Sequence, residues 1–140
     1  MEEKKDITEM IEEYLNRANW KYEKKKDNVW YFVIEIEEVI FPIIMKCSGD
    51  ILILSAISLM NLPKSKATKR RILKKLLELN RQLKMAKIGI DKEGSVFMNV
   101  EYPIKDLSYS EFKDCCDALL TYLKHYWVPE IKTNFSGLVI

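Results

Sequence analysis

The chain has 140 residues, of which 48% are hydrophobic and 31% are charged, and its formal net charge is +2. This composition excludes a disordered chain. A net charge this small does not indicate general nucleic-acid binding. Any electrostatic function must therefore depend on a local cluster of charge. A chain of this length buries about two-thirds of its unfolded surface in one core. We therefore predict one domain over residues 1–140, with a core at about 6–129.

The cysteine count and the N-terminus bear on the cellular compartment. Cys47, Cys115 and Cys116 form no CxxC pair, and an odd number of cysteines argues against a disulfide framework. The N-terminal residues MEEKKDITEM are charged and lack the apolar segment of a secretory signal. The longest apolar runs have the length of strands rather than of membrane spans. We predict a reduced, cytoplasmic protein that does not cross a membrane.

The first half of the chain predicts one helix followed by strands. Apolar residues at helical spacing predict a helix from Asp6 to Ala18, with Asp6 or Thr8 as its N-cap and Asn19 at its end. The next segment is rich in β-branched and aromatic residues. Three strands are predicted there, Val29–Glu37, Val39–Cys47 and Ile51–Leu59, and a short earlier strand is possible near Trp20–Glu23. Pro42 favours a sheet edge or a bulge, because it has no N–H to donate.

The second half predicts a long helix, a hairpin and a last helix. The long helix is expected at Lys66–Leu83, after Pro63, and the segment AKIGIDKEGSVFMNVEY is expected to form the hairpin. Ser108 and Glu111 have the spacing of a capping box, and Pro129 is expected to stop the helix that they begin. The predicted order is α-β-β-β-α-β-β-α. It gives an α+β fold with a mostly antiparallel five-stranded sheet and helices packed on one face.

The C-terminal segment, residues 130–140, ends in four apolar side chains, Phe135, Leu138, Val139 and Ile140. Apolar surface of this extent is rarely left in water. We expect this tail to dock on its own domain or on a partner subunit.

The order of elements and the stretch LLELNRQLKMAKIGIDKEGSVFMNVEYPIKDLSYSEF resemble the YbjN-like family, whose fold is shared with type III secretion chaperones. The matching features are Leu79–Asn80 at the end of a helix, a hairpin with Ile88, Asp91, Gly94 and Val96, and a helix start at Leu107–Ser108. The resemblance spans Asp6 to Pro129. It implies a two-layer, frequently dimeric domain without catalytic residues. Secretion chaperones of this fold bind extended segments of client proteins.

The segment Lys64–Lys75, KSKATKRRILKK, holds seven cations and no carboxylate at the start of a predicted helix. The helix dipole and like charges three or four residues apart both oppose this arrangement. Six of these cations are candidates for binding an anionic partner: Lys66, Lys69, Arg70, Arg71, Lys74 and Lys75. Three explanations remain open. The run is a solubilising face balanced by acids such as Glu9, Glu12 and Glu13, or it docks an acidic protein segment, or it docks a nucleic-acid backbone.

The segment Val29–Ile36 is apolar at nearly every position. A strand that is apolar on both sides is covered on both sides, whereas the predicted helices cover one face. The candidate face for a dimer partner or a client comprises Trp30, Tyr31, Phe32, Ile34, Phe41 and Ile43. Burial within the monomer is the third alternative.

The remaining reactive residue types form no catalytic pattern. His125 is the single histidine, Cys115 and Cys116 lie mid-helix among apolar residues, and Glu35 and Glu37 share a strand without a third ligand. We expect no enzyme activity, no cofactor and no metal. The leading hypothesis is a homodimeric chaperone-like or adaptor domain that binds an acidic protein client. A nucleic-acid-binding protein that uses residues 64–75 is the alternative.

Overall fold

The computed structural model describes residues 2–133. Its elements in chain order are α1 (Glu2–Arg17), β1 (Glu23–Lys26), β2 (Val29–Ile36), β3 (Val39–Ser48), β4 (Ile51–Asn61), α2 (Lys66–Gln82), β5 (Ala86–Ile90), β6 (Ser95–Pro103), α3 (Tyr109–Tyr122), a π-helical turn (Leu123–Trp127) and α4 (Val128–Thr133). The apolar tail residues Phe135, Leu138, Val139 and Ile140 lie outside the described residues. The predicted α+β fold is confirmed.

Within residues 2–133 the sheet has six strands in the order β1-β2-β3-β4-β6-β5, and every neighbouring pair is antiparallel. The prediction of five strands did not count β1, which the possible strand near Trp20–Glu23 placed three residues too early. The sequence of β1 is EKKK, and its side chains are all exposed. No apolar alternation marks such a strand. It forms because a two-residue turn, Asp27–Asn28, returns the chain along β2, where Glu23 pairs with Tyr31.

The helices pack on one face of the sheet, as predicted. Alternate residues of each strand turn toward that face, and the helices meet them with buried side chains that include Ile11, Leu15, Ile72, Leu76 and Phe112. Successive side chains of a strand point to opposite faces of the sheet. The side chains between the inward-facing ones therefore lie on the opposite face, which these helices do not cover. That opposite face is called the outer face below.

Helix α1 begins at Glu2, four residues before the predicted start. Neither Asp6 nor Thr8 is therefore its N-cap. The Thr8 hydroxyl instead donates a hydrogen bond of 2.6 Å to Asn28 Oδ1. The predicted end at Asn19 is confirmed. Asn19 has a φ of 60°, and its N–H donates to Asn16 while the N–H of Trp20 donates to Leu15. This pair of bonds is a Schellman motif with asparagine in the left-handed position.

Pro129 does not stop the last helix, so that prediction was wrong. The capping box at Ser108 and Glu111 is present, and α3 then passes through the π-helical turn into α4, which contains Pro129. A proline is tolerated in the first turn of a helix, because its missing N–H would have no partner there. The wider turn supplies a new helix start directly before the proline. Helical structure thus continues to Thr133, beyond the predicted core.

The turn between β2 and β3 is formed by Glu37 and Glu38, whose φ angles are 49° and 71°. Two-residue hairpin turns with positive φ at both positions favour Asn-Gly, and a residue with a Cβ is strained there. We expect Glu37→Asn/Glu38→Gly to raise the free energy of unfolding by about 1–2 kcal/mol. Urea denaturation measures this change. Glu35→Asn, an exposed change on the adjoining strand, is the control, and an equal gain in both proteins would contradict the strain.

Candidate interaction surfaces

Four of the six residues predicted to form a contact face are core residues. Trp30 and Ile43 are fully buried, and Phe32 and Phe41 are 2% exposed, all on the face that the helices cover. This placement corrects their assignment to a partner-facing surface. The cause is the alternation of the strand, which turns Trp30 and Phe32 inward together. Ile34 is half-buried and packs against the same core.

Helix α1 is attached to the sheet through Glu12. The Trp30 indole Nε1–H donates to Glu12 Oε2 at 3.0 Å, and the Lys24 ammonium lies 3.4 Å from the same oxygen. Glu12 therefore serves the junction of α1 with β1 and β2. It does not balance the basic run on α2.

Tyr31 is the one predicted contact residue that faces outward. The outer face carries apolar side chains from four strands: Tyr31, Val33, Ile40, Pro42, Ile44, Ile53, Ile57 and Phe97. Val33 is 57% exposed and Ile40 is 64% exposed. These two residues lie on neighbouring strands, close to the Glu37–Glu38 turn. An apolar surface this open is typical of a contact site for another protein.

Polar pairs border the apolar part of the outer face. Lys87 and Glu101 form an ion pair at 2.9 Å, and this hydrogen-bonded ammonium holds the pKa of the Glu101 carboxyl below its usual value. Ser55 donates a hydrogen bond to Asn99 on the adjacent strand. The β5 and β6 side of the face is therefore polar, and the exposed apolar residues concentrate on β2 and β3.

Strand β3 separates from β4 at the end of the sheet where Ile40 lies. Their pairing extends only from Ser48 to Ile43, so residues 39–42 of β3 pair with β2 alone. Pro42 lies in this segment, which suits a residue without an N–H. Strand β4 bulges there, with Ser58 at a φ of 55°. The expectation that Pro42 marks an edge or a bulge is confirmed.

The predicted cationic candidates all lie on α2. Ser65 occupies the N-cap position, but its side chain makes no capping hydrogen bond, and no acidic residue lies in the first turn. Lys75 pairs with Glu130 of α4 at 3.5 Å and approaches Glu78 at 4.0 Å. Among the side chains that the structure describes, no carboxylate pairs with the other five cations, Lys66, Lys69, Arg70, Arg71 and Lys74.

The basic end of α2 and the exposed apolar residues share one end of the sheet. Strand β4 ends at Asn61, opposite Ser95 of β6, and the Leu62 N–H donates to the Gly94 carbonyl at 2.9 Å just before α2 begins. Strand β3 begins at this same end, because β3 and β4 are antiparallel. The sequence did not reveal that they share this end, because the arrangement depends on the order of the strands.

Asn80 joins α2 to the edge strand β5. Its Nδ2–H donates to the Ile88 carbonyl at 3.0 Å, and its Oδ1 accepts from the Ile88 N–H at 2.6 Å. The side-chain amide thus occupies both backbone groups of a residue at the edge of the sheet. An edge strand with free backbone groups is a template for pairing with another chain, and Asn80 blocks that pairing at Ile88.

The three cysteines are poor candidates for reactive groups. Cys115 and Cys116 are buried and Cys47 is half-buried. Burial raises the pKa of Cys47 and of Cys115 to about 11, and that of Cys116 to about 12. Nucleophilic cysteines need the opposite shift.

Residues 2–133 also lack two other kinds of functional feature. In this part of the chain, no three His, Cys, Asp or Glu side chains come together in a group that would hold a metal ion. No helix described there is both long enough and apolar enough to cross a membrane.

The fold resembles that of several solved proteins. YbjN from E. coli superposes with a TM-score of 0.62 at 8% identity, over 94% of each chain. The protein complex ExsC-ExsE gives a TM-score of 0.61 at 15% identity, over 89% of this chain and 92% of that one. The Yersinia pestis type III secretion chaperone SycH, solved with a stable fragment of YscM2, gives 0.54 at 11% identity, over 81% and 93%. Identities this low establish a common fold only.

The sequence itself identifies the family. No curated protein sequence matches the chain. The family model CesT_Tir_1, which describes type III secretion chaperones, matches residues 4–133. This match covers nearly all of the described chain and confirms the resemblance inferred from residues 6–129. The chain therefore belongs to the CesT_Tir_1 family.

Proposed function

We propose that this chain is a non-enzymatic, cytoplasmic protein-binding domain with a chaperone or adaptor role. Its outer face contacts apolar side chains of a protein client, and the basic end of α2 attracts acidic residues of the same client. The single observation that carries this proposal is the exposure of Val33 and Ile40 at the end of the sheet where α2 begins. Opposite charges accelerate encounter, and apolar contact supplies affinity.

Family membership and the structural relatives support a protein ligand. SycH was solved with a fragment of YscM2, and ExsC was solved with ExsE. One cleft of about 590 Å³ lies between α1 and the ends of β4 and β6, and it is open and lined mainly by Ile7, Met10, Ile51 and Ile104.

The proposal predicts loss of client capture when charge enters the outer face. Tagged Val33→Asp/Ile40→Asp protein serves as bait in nuclease-treated extract, beside the unchanged protein. We expect the bound protein to be lost, because two carboxylates would lose their hydration when the contact buries them. Met85→Asp/Ile90→Asp is the matched control, since these two apolar residues are each 41% exposed elsewhere on the surface. Capture that survives the first change, or is lost equally in the control, contradicts the proposal.

A second copy of the chain is the other candidate occupant of the outer face. Apolar residues from neighbouring strands favour it, because a two-fold axis would place the same patch of each subunit in contact. Sedimentation equilibrium distinguishes the two uses. A dimer that becomes a monomer in Val33→Asp/Ile40→Asp assigns the face to the second copy. A dimer unchanged by that substitution places the dimer contact elsewhere and leaves the outer face to the client.

A further inference from the structure

The outer face carries opposite charges at the two ends of the β2–β3 pair. At one end Val29 stands opposite Lys26 of β1 and Lys46 of β3, and these two exposed lysines are called the cationic base. The other end has three exposed carboxylates, called the acidic tip: Glu35, Glu37 and Glu38. Six residues of strand separate Val29 from Glu35, so the two ends lie about 20 Å apart.

Between these two ends, β2 and β3 carry apolar side chains on the outer face. This apolar strip comprises Tyr31, Val33, Ile40, Pro42 and Ile44. Val33 and Ile40 are its most exposed members, and both lie toward the acidic tip. The outer face therefore changes along its strands from cationic, through apolar, to acidic.

The charges at the two ends have no partners within the described part of the chain. No carboxylate described there pairs with Lys26 or Lys46, and no described cation pairs with the acidic tip. Glu37 and Glu38 also occupy a turn at positive φ angles, where Asn-Gly is favoured. Carboxylates so close in sequence repel one another. The stability of the free protein therefore explains neither end, and both ends are open to a partner of opposite charge.

The apolar strip offers side chains rather than backbone groups to a partner. The backbone hydrogen bonds of the β2–β3 pair run between the two strands, in the plane of the sheet. An extended segment buried on this face would leave its own N–H and C=O groups without partners, whereas an α-helix pairs these groups internally. A helix is about 10–12 Å wide, and neighbouring strands lie about 4.8 Å apart. One helix therefore covers β2, β3 and β4.

The sheet of a second copy fits the apolar strip less well than a helix does. Two sheets packed face to face would also cover the polar side of the outer face, where Lys87 pairs with Glu101 and Ser55 bonds to Asn99. Burial of an ion pair removes water from both charges, and this loss of hydration can exceed their attraction. A helix covers the apolar strip and leaves these polar pairs in water.

We propose that the outer face binds an amphipathic helix of the protein client whose charges are segregated along its length. The apolar side of this helix packs on Val33 and Ile40, its acidic end lies at the cationic base, and its basic end lies at the acidic tip. About 13 helical residues span the 20 Å between the two ends. This inference rests on the proposed function and adds the form, the charge pattern and the direction of the bound segment. The charged ends fix the direction, and the apolar contact supplies the affinity.

The test uses two synthetic helical peptides that share one composition and one apolar side. In the segregated peptide the glutamates lie in the N-terminal half and the lysines in the C-terminal half. In the mixed peptide each glutamate is followed four residues later by a lysine. We expect the full chain to bind the segregated peptide about tenfold more tightly by isothermal titration calorimetry at low salt. Intrinsic helicity cannot produce this order, because Glu–Lys pairs at four-residue spacing favour the helix of the mixed peptide.

Charge reversal at one end and at both ends is expected to have opposite effects. Glu35→Lys/Glu38→Lys removes the preference for the segregated peptide, because both ends of the strip are then cationic. Lys26→Glu/Lys46→Glu removes it as well. The chain with all four substitutions regains the preference, because the peptide binds in the reverse direction. A benzophenone at the peptide N-terminus records this reversal: it crosslinks beside Lys46 in the unchanged protein and beside the Glu37–Glu38 turn in the chain with four substitutions.

The control variant is Glu9→Lys/Glu13→Lys, which makes the same change of net charge as reversal of the acidic tip. Both residues are exposed on α1, on the opposite side of the sheet from the outer face. This variant keeps the preference for the segregated peptide. A preference that survives reversal of the acidic tip, or that the four substitutions do not restore, overturns the proposal. So does failure of both peptides to bind. A dimer that the segregated peptide converts to monomers in sedimentation equilibrium would assign the outer face to a second copy, which overturns it too.

Client capture separates this inference from the proposed function. Val33→Asp/Ile40→Asp protein is expected to bind neither peptide, because the apolar contact is lost. Client capture that depends on Val33 and Ile40, together with no preference between the peptides, overturns the segregated helix alone and leaves the proposed function standing. Client capture that this substitution leaves unchanged contradicts the proposed function and the inference that rests on it.

Discussion

Trp30→Ala is expected to lower the free energy of unfolding by about 3–5 kcal/mol, whereas Tyr31→Ala lowers it by less than about 1 kcal/mol. Trp30 is fully buried between β2 and α1, and its indole N–H binds Glu12. Its removal leaves a cavity and a half-buried carboxylate without its donor. Tyr31 follows it in the chain but lies on the outer face. Circular dichroism during urea denaturation measures both changes without depending on tryptophan fluorescence.

Trp30→Phe separates the two parts of this loss. Phenylalanine fills much of the space but has no N–H for Glu12, so we expect about 1–3 kcal/mol of destabilisation. Similar losses for Trp30→Ala and Tyr31→Ala would contradict the assignment of these neighbours to opposite faces. They would also remove the basis for treating the outer face as a contact surface.

Asn80→Leu is expected to lower the free energy of unfolding by about 2–4 kcal/mol and to cause association that increases with protein concentration. The leucine removes both hydrogen bonds to Ile88, and each backbone group left unpaired costs about 1–3 kcal/mol where it is shielded from water. The freed groups lie at the edge of the sheet, where a second chain can pair with them. Denaturation and sedimentation velocity measure the two effects.

Asn80→Asp is the control for this prediction. A carboxylate still accepts from the Ile88 N–H but cannot donate to its carbonyl, so the loss should be intermediate and the association weaker. If Asn80→Leu remains monodisperse and as stable as the unchanged protein, Asn80 does not protect the edge. The Asn80 side chain would then not determine whether β5 pairs with another chain.

Much of the fold was predictable because the local signals agreed with the tertiary structure. The capping box at Ser108, the left-handed residue at Asn19 and the apolar stripe of α2 each mark an element that the structure contains. Strand β1 was not among the five predicted strands because its four charged residues show no apolar alternation. The continuation through Pro129 was missed because a π-helical turn has no simple sequence signal.

The candidate surfaces were less predictable from the sequence. The charge of α2 is visible in the residue types, but which of its cations face outward depends on the helix orientation that the buried Ile72, Leu76 and Leu79 fix. In β2, both alternating sets of residues are apolar, so polarity does not reveal which set faces the helices. The exposure of Ile40 depends on the separation of β3 from β4, which is a property of pairing rather than of composition.

The rate at which the cysteines are alkylated can measure how often the folded domain opens. The thiolate attacks an alkylating reagent, and with pKa values of about 11 to 12 the three cysteines of the folded protein present almost none at neutral pH. Because Cys115 and Cys116 are also buried, an adduct at either of them records an opening event. Cys47 reports on β3, whereas Cys115 and Cys116 report on α3. Intact-mass spectra that jump from zero to three adducts would show that sheet and helix open as one cooperative unit, and a long-lived single adduct would show that they open separately.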